Sequence, residues 1–262
     1  ILTLQLIGRS RLRELPSTHA CPISLAQNPI SPTRMPENSR KPRIVVVNTR
    51  AANVHSVEKA LSRVGADPLV TSNPAELASA DAVVLPGVGA SDSVMRALNT
   101  MGLAEPVKAF AASGKPFLCI CVGLQVLFES SEEGELSGLG LVEGNVRLIP
   151  TGMKDELGAS MKVPHMGWNE VAFTGSESQR HPVFAGIPQG SHFYFVHSYR
   201  CVPDKESDVA ATTNYGVNIC AAVARGNVVG TQFHPEKSGD VGLKIYENFL
   251  ELATASLTES GY

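Results

Sequence analysis

From residue 43 onward, short apolar runs alternate with stretches of helical spacing, and this alternation limits the possible folds more than any other feature. Ile44, Val45, Val46 and Val47 form one run, Ala82, Val83, Val84 and Leu85 another, and a third ends at Cys121. Runs without polar alternation are buried on both faces, as strands of a parallel sheet are. Between them, Val54, Val57, Leu61 and Val64 recur at helical spacing behind Asn53, a helix-capping residue, and stop at Gly65. Leu69 and Val70 read as a second strand, and Asn73-Pro74 opens a short helix. Helices are expected around 92–100 and 103–113, ahead of the strand that ends at Cys121. Such an order predicts an α/β protein with a mostly parallel sheet and helices on both faces. Sites in these sheets lie at the carboxyl ends of strands, where the Pro86-Gly87-Val88-Gly89 loop and Cys121 both fall.

After about residue 140 the pieces become shorter and strand-like: 146–149, 192–196, 221–223 and 228–233. Gly226-Asn227 reads as a hairpin turn. A last helix near 240–254 carries Val241, Ile245, Phe249 and Leu252 on one side. This implies an antiparallel portion in the C-terminal half, within one domain spanning 43–256 and followed by a short tail, 257–262.

The 262 residues are 43% hydrophobic, enough for a full core. A net charge of −3 and a pI near 6.2 give no electrostatic case for nucleic acid. No apolar run approaches the roughly 18 residues that span a bilayer. Five cysteines without a repeating framework favour a reduced, cytoplasmic setting. Residues 1–42 differ in kind, with Pro16, Pro22, Pro29, Pro32, Pro36 and Pro42, scattered serines and arginines, and few acids. They read as a disordered or artefactual extension, residues 1–34 preceding Met35; an organelle transit peptide is the alternative.

The chemistry centres on Phe117-Leu118-Cys119-Ile120-Cys121-Val122-Gly123-Leu124-Gln125. A strand that ends at a cysteine, a small-residue turn and a helical segment form a nucleophile elbow. The helix N-terminus beyond it favours a thiolate at Cys121. The Val122 N–H then points at the attacked group, and the loop at Val88 and Gly89 offers a second oxyanion donor. Cys119-x-Cys121 has no second Cys/His pair at zinc-type spacing, so no metal is expected. Far downstream, His234 follows a strand and precedes Pro235, with Glu236 two residues on. A base and its orienting acid complete a cysteine triad.

These strings resemble the class I, triad-type glutamine amidotransferases, over about residues 43–253. Pro164-His165-Met166-Gly167-Trp168-Asn169 and Tyr194-Phe195-Val196-His197-Ser198-Tyr199 narrow the resemblance to the glutaminase subunit of imidazole glycerol phosphate synthase. The resemblance implies a flavodoxin-like amidotransferase fold and no cofactor. It assigns Cys121 as nucleophile, His234 as base and Glu236 as its orienter. It places Gln125 and Glu133 around bound glutamine, and the backbone of His197, Ser198 and Tyr199 at its amino-acid end. Pro164, His165, Met166, Trp168 and Lys237 match the face towards a (β/α)8-barrel synthase subunit, expected as a separate polypeptide or as a missing part of a fusion. Two departures stand out. Cys119 occupies a position where the family usually has glycine, at a tight approach of strand and helix. The turn Asn48-Thr49-Arg50-Ala51-Ala52-Asn53 replaces a glycine-rich version. Alternative readings are the glutaminase of another amidotransferase, a non-catalytic partner retaining the fold, and a free-standing hydrolase of γ-glutamyl peptides.

Overall fold

The computed structural model describes residues 40–50, 53–154 and 158–259. Residues 1–39 of the expected 1–42 extension, Ala51, Ala52, residues 155–157 and the last residues 260–262 lie outside them. In the first half, β1 (Ile44–Val47), α1 (Val54–Arg63), β2 (Leu69–Thr71), α2 (Pro74–Ala78) and β3 (Ala82–Gly87) follow in order. Next come α3 (Ser91–Thr100), α4 (Ala104–Ala112), β4 (Phe117–Cys121) and α5 (Val122–Gln125). The second half adds β5 (Ser130–Ser131), β6 (Gly144–Leu148), β7 (His165–Glu170), β8 (Ala172–Phe173) and β9 (His192–His197). It ends with β10 (Tyr199–Pro203), β11 (Val209–Tyr215), β12 (Val217–Arg225), β13 (Val228–Thr231) and α6 (Gly239–Glu259).

The main sheet runs β2-β1-β3-β4-β13-β12-β11-β8. Its first five strands are parallel and the rest antiparallel, as the sequence patterns predict. All residues of β1, β3 and β4 are buried, which explains their unbroken apolar runs. The chain moves from β1 outward to β2 and then back past it to β3. Right-handed crossovers therefore put α1 on one face and α2 to α4 on the other. Consistently, α6 packs against α1, and α4 against α2 and α3. Two smaller sheets, β7-β9 and β10-β6-β5, lie beside the main one in the chain's second half.

Several boundaries differ from expectation. Residues 40–42 belong to the packed unit: Arg40 pairs with the buried Asp81 at 2.5 Å, and the Arg43 N–H donates to the same carboxylate at 2.7 Å. The Arg40 guanidinium holds the Asp81 carboxyl below its ordinary range, despite burial. At the other end α6 continues to Glu259, past the tail boundary at 257. Asn53 precedes α1 without a side-chain cap, whereas Asn73 accepts the Ala75 N–H at 3.1 Å and caps α2. The hairpin at Gly226-Asn227 forms, Arg225 pairing with Val228 and Gly226 adopting a φ of 58°.

Candidate active site

The elbow is built by close backbone approach. Cys121 has φ 55° and ψ −109°, a left-handed conformation rare for a side chain of its kind. Its neighbours make room for that turn: a Cβ on Gly123 would lie 2.0 Å from the Leu85 carbonyl oxygen, and one on Gly87 2.5 Å from the Gly123 nitrogen. The tight approach expected at position 119 therefore falls at Gly87 and Gly123. Cys119 is instead an ordinary core residue of β4, fully buried, and burial pushes its thiol well above the usual range. The four described cysteines are free thiols, so Cys119 makes no disulfide with Cys121. The helix after the nucleophile spans only Val122–Gln125, so its dipole is weaker than the sequence spacing implies.

His234 follows β13 and has its Nδ1 2.7 Å from a Glu236 carboxylate oxygen, with both side chains almost wholly buried. The other ring nitrogen, Nε2, is buried and has no hydrogen-bond partner among the described residues. Desolvation alone would lower the pKa of this imidazole. The pull of the Cys121 sulfur and of Glu236 outweighs it and raises the group to about 10. His234 thus holds its proton at neutral pH. The pairing stabilises the fold fully below pH 6.5, and this contribution is lost as pH rises through about 10.

A cavity of about 270 Å³ opens over Cys121. Val88, Gly89 and Val122 line one part of it, Gln125 and Glu133 another, and His197, Ser198 and Tyr199 a third, with His234 and Lys237 completing the wall. The elements thus bring together every residue expected to be catalytic or substrate-facing, Glu236 standing behind His234. The partner-facing string divides. Met166 and Trp168 project from β7 at 62% and 57% exposure, but the alternation of a strand turns His165 inward, where it is buried. Pro164, after a cis peptide bond, is half-buried. Lys237 lines the cavity and lies 5.7 Å from the centre of the Tyr194 ring, so it faces the site as well as solvent.

Two residues went unassigned in the sequence. Gln232 is fully buried; its amide nitrogen lies 3.8 Å from the Cys121 sulfur, and its oxygen accepts from Gln125 Nε2 at 3.2 Å. Ser91, at the start of α3, donates through its backbone N–H to Glu133 at 2.7 Å and through its hydroxyl at 3.0 Å. Gln125 also donates to the Tyr199 carbonyl oxygen at 3.2 Å. A buried amide network therefore ties the nucleophile to the cavity wall. Gln232 adjoins the His234 string and was findable there, whereas Ser91 carries no local signal.

The family model for class-I glutamine amidotransferases matches residues 45–252. The chain belongs to this family. Among amidotransferase relatives, it is 47% identical over 220 residues to the imidazole glycerol phosphate synthase subunit HisH of Synechococcus sp. (strain JA-3-3Ab), covering 84% of this chain and 98% of the relative. It is 48% identical to the HisH subunit of Methanosarcina acetivorans, covering 80% and 98%. Amidotransferase architecture also appears in solved structures. One described as glutamine amidotransferase superposes with a TM-score of 0.60 at 22% identity, covering 80% of this chain and 98% of its own. PurLQS from Thermotoga maritima superposes at 0.59 and 21% identity, covering 81% and 99%. At these identities the likeness concerns the fold. Among the described residues, no helix is long and apolar enough to cross a membrane.

Proposed function

We propose that this amidotransferase is the glutaminase subunit of an imidazole glycerol phosphate synthase and supplies ammonia for histidine biosynthesis. The observation that carries the reading is the single cavity shared by Cys121, His234, Gln125, Glu133 and the 197–199 segment. The Cys121 sulfur, as a thiolate paired with the His234 imidazolium, attacks the side-chain amide carbon of glutamine. The carbon–nitrogen bond breaks, His234 gives its proton to the departing nitrogen, and ammonia leaves behind a glutamyl thioester. Neutral His234 then takes a proton from water, hydroxide attacks the thioester, and glutamate leaves as the thiolate reforms. N–H groups of Val122 and of the Val88–Gly89 loop hold the oxyanion in both steps. Glutamine's amino-acid end lies along His197, Ser198 and Tyr199, near Gln125 and Glu133.

The ammonia passes to a (β/α)8-barrel synthase subunit. There, a phosphoribulosyl-formimino carboxamide ribotide becomes imidazole glycerol phosphate and an aminoimidazole carboxamide ribotide. The exposed Met166 and Trp168 side chains support a docking face, with Tyr194 at 6.2 Å from Trp168 linking it to Lys237 at the cavity. Free thiols at all four described cysteines support a reducing, cytoplasmic setting. The test is glutamate release by the full chain, alone and with its synthase partner carrying its nucleotide ligand. Stimulation by at least about tenfold is expected, within the range of coupling between sites. Full activity alone, or none under either condition, would overturn the reading.

A second expectation concerns the triad. Because Glu236 helps raise His234 to about 10, Glu236→Gln should shift the alkaline limb of kcat/KM, which reports loss of the imidazolium proton, to lower pH. An unmoved limb would remove Glu236 from that role.

A further inference from the structure

The cavity wall at residues 197–199 is a corner between two sheets. His197 ends β9, and Tyr199 begins β10, so the chain passes there from the two-stranded to the three-stranded sheet. Behind the corner two buried histidines form a chain whose protons can all be assigned. His197 Nδ1 lies 2.8 Å from the Tyr199 carbonyl oxygen. A carbonyl only accepts, so Nδ1 carries the proton and Nε2 of the neutral ring is an acceptor. His165 Nδ1 lies 2.9 Å from that Nε2 and must donate to it. This leaves His165 Nε2 as an acceptor, 3.2 Å from the Asn169 amide nitrogen, which also donates to the Asn214 carbonyl at 2.9 Å.

Both rings stay neutral across the physiological range. Burial lowers His165 to about 4, and burial, opposed by its bond to Tyr199, lowers His197 to about 3. The His165 ring is held in place by stacking, 4.1 Å from the Tyr215 ring and 4.7 Å from Phe195 between centroids. The Tyr199 oxygen thus receives two donors, His197 and Gln125, while the Ser198 oxygen receives the Ile149 N–H at 2.9 Å.

We propose that His165 is a positioning residue which, through His197, fixes the direction of the Tyr199 carbonyl and so the shape of the corner that binds the amino-acid end of glutamine. A backbone wall recognises a zwitterion by the direction in which each peptide points. A rotated Tyr199 carbonyl therefore weakens binding while the His234–Glu236 pair keeps its own contact. The inference rests on the reading of the cavity as the glutamine site.

The test compares His165→Asn with His165→Gln. An asparagine amide takes roughly the place of ring Nδ1 and keeps the donation to His197, whereas a glutamine amide reaches towards Nε2 and leaves His197 Nε2 buried and unpaired. The dissociation constant for glutamine is measured by calorimetry on the full chain carrying Cys121→Ala. KM and kcat are measured with Cys121 intact and the synthase partner present. His165→Gln should raise the dissociation constant and KM about tenfold with kcat within about twofold, and His165→Asn should stay within about threefold of the parent. Equal binding by the two variants, or a fall in kcat with KM unchanged, overturns the inference. If His165→Gln does not fold, Asn169→Ala decides: it should weaken binding about threefold, and an unchanged constant overturns the proposal. Failure of the Cys121→Ala parent itself to bind glutamine would instead remove the glutaminase reading, and this inference with it.

Discussion

Cys121→Ala should lower glutamate release by at least about 10⁴-fold, because no other group can form the thioester. Binding should survive, since the walls around the nucleophile are held by other residues. The Tyr199 carbonyl is fixed by His197 and Gln125, and Glu133 is held by Ser91. Steady-state glutamate release and calorimetric titration with glutamine check the two halves, with the dissociation constant expected within about threefold of the parent. The matching control is Cys119→Ala. That thiol is fully buried in β4, so its removal leaves a small void and costs about 1 kcal/mol of stability, with turnover retained. Should Cys119→Ala abolish turnover and Cys121→Ala preserve it, the nucleophile has been assigned to the wrong cysteine.

Gly123→Ala should be damaging as well, for a different reason. The added Cβ would lie 2.0 Å from the Leu85 carbonyl oxygen and 3.5 Å from the Gly87 nitrogen. Both are backbone atoms of β3, an interior strand paired with β1 and β4, so neither can rotate aside. The first turn of α5 must lift, and it carries the Val122 N–H and the left-handed Cys121 with it. A displacement on the order of 1 Å costs about 10²-fold in rate, and overpacking of this kind costs about 3 kcal/mol. Thermal unfolding and glutamate release measure both. A variant with parental stability and turnover would mean that elbow and strand are not interlocked.

The parallel half of the fold was legible because its strands are buried on both faces and its helices amphipathic, so period and burial coincide. The closeness of Cys121, His234 and Glu236 was legible for a related reason: Cys121 ends β4, and His234 and Glu236 lie in the turn just past β13, where the sequence changes texture. What escaped notice has long-range causes. Arg40 lies in a proline-rich stretch, and only the folded position of Asp81 gives it a partner. Ser91 and Gln232 are ordinary residues until the sheets bring Glu133, Gln125 and Cys121 to them. His165 shares a string with Met166 and Trp168, and only the strand's pleat separates an inward residue from its outward neighbours.

The corner at Ser198 has a mechanical consequence. Cys121 ends β4 and His234 lies just past β13, adjacent strands of the eight-stranded sheet, whereas the wall at 197–199 belongs to the two lesser sheets. The nucleophile candidate and this wall are therefore mounted on different frames. A force on the Met166–Trp168 side of β7 reaches the 197–199 wall directly through the pairing of β7 with β9. Strand β9 also holds the His234 backbone, whose N–H donates to the Tyr194 carbonyl oxygen at 2.9 Å, so β9 couples the two frames.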